Sequence, residues 1–163
     1  MKIAIMSDVH DCTENMLLAL HSAKEQGCQR IFYLGDIVES STLSLMLDEW
    51  QLPADIVFGN NEYDLTAHRS IAQRYANCIH HGYEADLMVD GRNIYFTHLP
   101  YHATTKVGSG QYHAVFYGHT HVAEQSVLQG TLLVNPGEVG GVRRPPGFAV
   151  YDTELNDVRF YRI

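Results

Sequence analysis

Short apolar runs with a β-branched bias recur through the first half of the chain, each followed by a stretch of helical spacing. Residues 2–6, Lys2 followed by Ile3, Ala4, Ile5 and Met6, read as a buried first strand. Asp11 with Glu14 three places on has the form of a helix N-cap. The helix would stop at Gly27 and turn Met16, Leu17, Leu20 and Ala23 inward. Residues 31–34 read as a second buried strand. Ser40 or Ser41 would cap a helix ending near Trp50, ahead of Pro53. Residues 55–58 read as a third strand, and Asp64 would cap a helix running through Tyr75 with Ala67, Ile71 and Tyr75 inward. This strand–helix alternation predicts parallel strands joined by right-handed crossovers.

The second half changes character. Asp90-Gly91 separates the runs 85–89 and 93–97, a strong hairpin signal. Residues 114–117 read as another buried strand. Gln129-Gly130 would turn a hairpin between 126–128 and 131–134, and Asn156-Asp157 a last one between 148–151 and 158–161. No Pro/Ser-rich linker, charge block or repeat divides the chain, so one domain over residues 1–163 is expected.

Composition changes this picture at several points. With 163 residues, 45% hydrophobic and 18% charged, the chain is long enough to bury a core and too apolar to be disordered. A net charge of −8 argues against a broad basic surface that would grip nucleic acid. The apolar run at the N-terminus is too short for a signal peptide or a membrane helix, so no membrane partner is expected. Cys12, Cys28 and Cys78 are scattered and odd in number, which fits a reducing cytoplasm better than a disulfide framework. The ten histidines are the compositional oddity, because imidazole is the commonest metal ligand.

Their placement is informative. Asp8 and His10 follow the first strand, Gly35-Asp36 the second and Gly59-Asn60 the third. His98 follows 93–97, and Gly118-His119-Thr120-His121 follows 114–117. Alone, Gly-Asp and Gly-Asn-Asn are ordinary turn chemistry, His98 could be a solvated histidine at a strand exit, and the stronger Gly-His-Thr-His has counterparts on surfaces, but five strand ends deliver potential ligands to the crevice where open α/β sheets bind ligands. Carboxylate, amide and imidazole donors suit Mn, Fe, Zn, Ni or Mg better than a thiolate-loving metal. In a strand, residues i and i+2 project to one side, so Asp8 with His10, and His119 with His121, could each face one site. No Ser-His-Asp or Cys-His arrangement stands out.

Asp8-Val9-His10, Gly35-Asp36, Gly59-Asn60, His98, Gly118-His119-Thr120-His121 and Asn135-Pro136-Gly137 together resemble the motifs of the calcineurin-like metallophosphoesterases, in particular their small stand-alone bacterial and archaeal type. The resemblance implies an α/β fold, a four-layer αββα sandwich of two mixed β-sheets flanked by helices. It implies a dinuclear-metal-dependent phosphoesterase that hydrolyses a phosphodiester, or a monoester, by in-line attack of a hydroxide bridging two cations. Asp8, His10 and His121 would hold one metal, Asn60, His98 and His119 the other, and Asp36 would bridge them. Mn²⁺ is the first expectation, with Ni²⁺, Fe²⁺, Zn²⁺ and Mg²⁺ as alternatives. Asp36, Asn60, Asn61 and His98 would be the residues at the chemistry.

Two departures from the family pattern bear on substrate choice. Larger members have His straight after the ligand Asn, where this chain has Asn61; an amide cannot release a proton at useful pH. His102, and after it His81, are the candidate replacement acids. After His98 the chain continues Leu99-Pro100-Tyr101-His102 where many relatives have Gly-His. Arg143 and Arg144 are candidates for holding a phosphate fork-to-fork. The expected partner is a small phosphate ester, and exposed strand edges make a homo-oligomer conceivable. The other readings are a non-catalytic metal-binding scaffold on the same fold, as in the retromer subunit that resembles this family, and a nucleotide phosphohydrolase.

Overall fold

Alternation along β1 (Lys2–Met6) sets the plan of the molecule: Ile3 and Ile5 face one way, Ala4 and Met6 the other, and all four are buried. A strand buried on both faces needs a layer on each side. The computed structural model describes residues 1–163, with eleven strands and four helices. β2 (Arg30–Tyr33), β3 (Ala54–Ile56) and β4 (Cys78–His80) extend β1 in parallel on one side. On its other side β10 (Gly147–Asp152) pairs antiparallel and forms a hairpin with β11 (Asp157–Arg162). This six-stranded sheet has the order β11-β10-β1-β2-β3-β4.

The second sheet has five strands in the order β5-β6-β7-β9-β8. It joins the hairpin of β5 (Glu84–Val89) and β6 (Arg92–Thr97) to β7 (Ala114–Phe116) and to the hairpin of β8 (Ala123–Leu128) and β9 (Thr131–Pro136). Ile3, Ile5, Phe32 and Leu34 of one sheet meet Ile94, Phe96, Phe116 and Val134 of the other in a core between the sheets. The Phe32 ring stacks on Phe96 with centroids 4.7 Å apart. Helices α1 (Thr13–Glu25), α2 (Ser40–Trp50) and α3 (Leu65–Ala72) belong to the six-stranded layer; Met16, Leu20, Leu47 and Trp50 there pack with Ala4, Met6 and Tyr33. Tyr95, Val115 and Leu133 turn outward from the other sheet onto Ala103 and Val107 of α4 (Pro100–Val107). The layers run α, β, β, α, as the family resemblance implied.

Several local expectations need correction. Cys12, not Asp11, is the N-cap of α1; Asp11 adopts φ +57° and its Oδ1 accepts from the Glu39 amide and Thr42 Oγ1, at the start of α2. Ala19 takes the inward place expected of Leu17, which is 37% exposed. Asp64 does cap α3, accepting from the Ala67 amide, but the helix ends at Ala72 and buries His68 and Ala72. Ile71 and Tyr75 only border that core, because the chain must turn after Ala72 to enter β4. β4 and α4 were not anticipated: β4 is short with a mostly exposed Ile79, and α4 hides behind Pro100, which occupies its first turn. The free edges are β4, β11, β5 and β8, and β8 is exposed along its whole length. No helix is long and apolar enough to cross a membrane, and all three cysteines are free thiols.

Candidate metal centre

The loops leaving β1, β2, β3, β6 and β7 converge at one end of the sandwich, held by backbone pairing that outlasts the formal strands. The Asp8 amide donates to the Gly35 carbonyl at 3.1 Å, the His10 amide to the Asp36 carbonyl at 3.0 Å and the Gly118 amide to the His98 carbonyl at 3.0 Å. The Asp-x-His and His-x-His pairs do not project together by strand alternation. Asp8, His10, Asp36, His119 and His121 all have positive φ, between 44° and 70°, so left-handed turns aim these side chains. Glycine is required where the loops touch. A Cβ on Gly118 would overlap Ser7 Oγ, and one on Gly59 would overlap Asp36 Oδ1.

Two donor groups result. Asp8, His10 and His121 form one, Asp8, Asp36 and His98 the other, each with ligand atoms within 4.8 Å of one another. Asp36 Oδ2 lies 3.5 Å from His10 Nε2 and 3.4 Å from His98 Nε2, so it stands between the groups. Asn60 Oδ1 is 3.0 Å from His98 Nε2, and the His119 ring lies edge-on to His98 with centroids 5.2 Å apart. His119 and Asn60 are solvent-exposed, and the other five are largely buried.

The electrostatics favour a cation. Asp8 and Asp36 are almost wholly buried, and burying carboxylates without a counter-charge is expensive. Asp8 above all, with Asp36, raises the pKa of His10 against the lowering effect of burial. Burial likewise lowers that of His98, and Asp36 and Asp8 more than reverse it. Burial would raise the Asp36 carboxyl, but His98 and Asn61 outweigh it and hold it well below the usual carboxylate range. Asp8 Oδ1 and His10 Nε2 are buried with no hydrogen-bond partner. Unpaired oxygen and nitrogen lone pairs 3.8 Å apart are what a divalent cation would satisfy, so these residues fit the group.

The supporting contacts point the same way. His98 Nδ1 contacts the Leu34 carbonyl at 2.8 Å and His121 Nδ1 contacts Glu138 Oε2 at 2.5 Å. Both contacts place the ring proton on Nδ1 and leave Nε2 a free lone pair facing the site. The amides of Asn60 and Asn61 and the Asn61 carboxamide donate to Asp36, and the His119 amide donates to Asp8. Asn135 Nδ2 braces the histidine loop by donating to the Gly118 carbonyl and Thr120 Oγ1. Sequence reasoning missed Glu138 and Glu62. Glu62 ties two site loops together, accepting from the Ile37 and Gly59 amides. Glu138 directly follows Asn135-Pro136-Gly137, and nothing in the sequence marks it as the partner of a histidine 17 positions away.

The remaining candidates lie around the rim. His102, exposed on α4, shares a cavity of about 810 Å³ with Asn60 and His98. His81 borders the same cavity, but its Nε2 is held by Asp55 Oδ1 at 2.8 Å. Arg143 and Arg144 reach the site through their backbone: both amides donate to Glu138 Oε1. The Arg144 side chain also lines a smaller cavity of about 400 Å³ beside His121.

The family model of the calcineurin-like phosphoesterase superfamily domain matches residues 1–156, and the chain belongs to that superfamily. It is a metal-dependent phosphoester hydrolase. A phosphodiesterase of Methanocaldococcus jannaschii is 28% identical over 168 residues, covering 98% of this chain and 97% of that protein. The solved structure of an archaeal phosphodiesterase superposes with a TM-score of 0.93 at 24% identity, over 100% of both chains. Vps29 of Entamoeba histolytica, solved with zinc, gives a TM-score of 0.70 at 14% identity over 100% of this chain and 98% of its own. The last two likenesses speak to the fold alone.

Proposed function

We propose that residues 1–163 act as one metallophosphoesterase domain that hydrolyses a small phosphodiester with two divalent cations. The observation that carries the dinuclear reading is the position of Asp36 Oδ2 between His10 Nε2 and His98 Nε2, at 3.5 and 3.4 Å. Asp8, His10 and His121 would hold one cation, Asn60, His98 and His119 the other, and Asp36 would contact both. Two such cations would activate water and neutralise phosphate charge for an in-line displacement. The donor set of oxygens and imidazoles suits Mn²⁺ first. The diester preference draws on the M. jannaschii relative, and the free thiols suit a cytoplasmic setting.

The chain's own groups would do the rest. Asn61 holds Asp36 in place through its 2.7 Å hydrogen bond, so its carboxamide is a positioning group more than a donor to substrate. His102 is the better placed proton donor for the leaving group, because His81 is engaged by Asp55. The intact donor set weighs against a pure scaffold, which has no use for seven converging ligands.

The test is hydrolysis of bis-p-nitrophenyl phosphate beside p-nitrophenyl phosphate after metals are stripped and Mn²⁺ is added back. Metal-dependent release, faster from the diester and abolished in Asp36→Asn, is the expected result. Two bound metals with no release from either ester would refute the proposal.

A further inference from the structure

The cavity of about 810 Å³ lined by Asn60 and His98 is also lined by Arg69 of α3, and this volume accommodates a sizeable organic group. Its charged groups differ in what engages them. Of its acids, Glu62 accepts from two backbone amides and Glu84 Oε2 accepts from the Tyr95 hydroxyl. Of its bases, His81 is held by Asp55. Arg69 has neither an ion pair nor a side-chain hydrogen bond; its guanidinium lies over the Phe58 ring, 5.4 Å from the centroid. Nearby Arg30 differs, since Asp55 takes up its guanidinium at 2.5 Å.

The aromatic contact orients Arg69 without cancelling its charge. Gly82 crosses beside it in a left-handed turn of φ +84°, and even a Cβ there would stay 3.9 Å from Nη2. The adjacent His80, half-buried with its ring tilted against Phe58 at a centroid distance of 4.0 Å, is pushed down to about 4, by burial first and by the neighbouring His68, Arg69 and His81 second. Arg69 is therefore the one permanent, unpaired cation on this wall, in a chain whose net charge is −8. An open fork of N–H donors on the wall of a cavity shared with Asn60 and His98 of the proposed phosphate site matches a second oxyanion on the same substrate.

We propose that Arg69 is a specificity-determining residue that binds a carboxylate or phosphate carried on one ester arm, so that the preferred substrate is a diester with an anionic arm. This rests on the phosphodiesterase reading above. The test uses three p-nitrophenyl diesters whose other arm is a two-carbon chain ending in carboxylate, in phosphate or in carboxamide, the last an uncharged isostere of the first. The Mn²⁺-loaded protein, Arg69→Gln and Arg74→Gln, an exposed arginine outside the cleft, are compared. The protein and Arg74→Gln should favour at least one anionic arm over carboxamide by about 10-fold or more in kcat/KM, and Arg69→Gln should lose that preference. Hydrolysis of bis-p-nitrophenyl phosphate without any anionic preference, or with one that survives in Arg69→Gln, overturns the inference and leaves the phosphodiesterase reading standing. If no diester is hydrolysed that reading fails, and calorimetry with the corresponding non-hydrolysable phosphonates decides. Arg69-dependent tighter binding of an anionic arm upholds the anion subsite, and its absence overturns it.

Discussion

Replacing Glu138 with Gln should disable the metal centre without touching a ligand. Glu138 is 1% exposed; its Oε1 accepts from the Arg143 and Arg144 amides and its Oε2 faces His121 Nδ1 at 2.5 Å. Burial would push its carboxyl up, but the Arg144 amide, His121 and the Arg143 amide together hold it below the usual range. In the Gln variant the amide oxygen keeps the two backbone donors, so its NH₂ must face His121. The ring then shifts its proton from Nδ1 to Nε2, and the nitrogen 3.4 Å from Asp8 Oδ1 stops being a free lone pair. Loss of such an outer partner weakens metal binding or activity by about 10–100-fold, roughly 1.4–2.7 kcal/mol at 1.36 kcal/mol per tenfold change. Calorimetric titration of metal-free protein with Mn²⁺ reads this directly, with circular dichroism as a check on folding. Glu124→Gln is the control, because Glu124 receives only the Tyr117 hydroxyl and should titrate like the unaltered protein. Unchanged affinity at both sites in a folded Glu138→Gln variant would refute the tautomer argument.

Three further outcomes follow from the same geometry. Gly118→Ala places a methyl group against Ser7 Oγ and Asp8 Oδ2, so metal occupancy measured by elemental analysis should fall and stability should drop by about 1–3 kcal/mol; full occupancy would show that the loop yields. Asp55, buried and paired with Arg30 and His81, resists burial's upward push and keeps a lowered pKa. Its stabilisation is present above the unfolded carboxylate pKa and is lost as pH falls through the lower folded value. Asp55→Asn should therefore cost about 3 kcal/mol near neutrality and flatten the acid limb of a urea-denaturation series, and a parallel pH dependence in the two proteins would contradict this. Phe32→Ala, which empties the space stacked on Phe96 between the sheets, should destabilise by about 3–5 kcal/mol with Mn²⁺ affinity kept; a loss under 1 kcal/mol would mean that the sheets close up around the gap.

The architecture was legible wherever a hydrophobic pattern met a strong turn. Asp90-Gly91, with φ of 49° and 74°, forms its hairpin where the residues alone placed it. The ligand candidates were legible because they follow apolar runs, and a run long enough to be a strand marks where its end will be. β4 and α4 were not, since neither has a clean period: β4 alternates weakly, and α4 begins with a proline inside what reads as a loop. Glu138 was invisible for another reason. It stands 17 positions from His121, and only the return of β9 beside the β7 loop brings the carboxylate behind the ring. The i, i+2 argument for Asp8 with His10 reached a sound grouping by a mistaken route, because backbone conformation in the turns, not strand alternation, points the two side chains inward.

That backbone conformation has an evolutionary side. Five of the seven ligand candidates, Asp8, His10, Asp36, His119 and His121, occupy a region that L-residues avoid, at roughly 1 kcal/mol apiece and less for aspartate. The total is on the order of 4 kcal/mol, comparable to the margin by which many small domains stay folded. Glycine at any of these positions would relieve strain while discarding a ligand. A lineage that stops using its metals recovers some of this strain with each such substitution, set against the binding free energy of the cation it gives up.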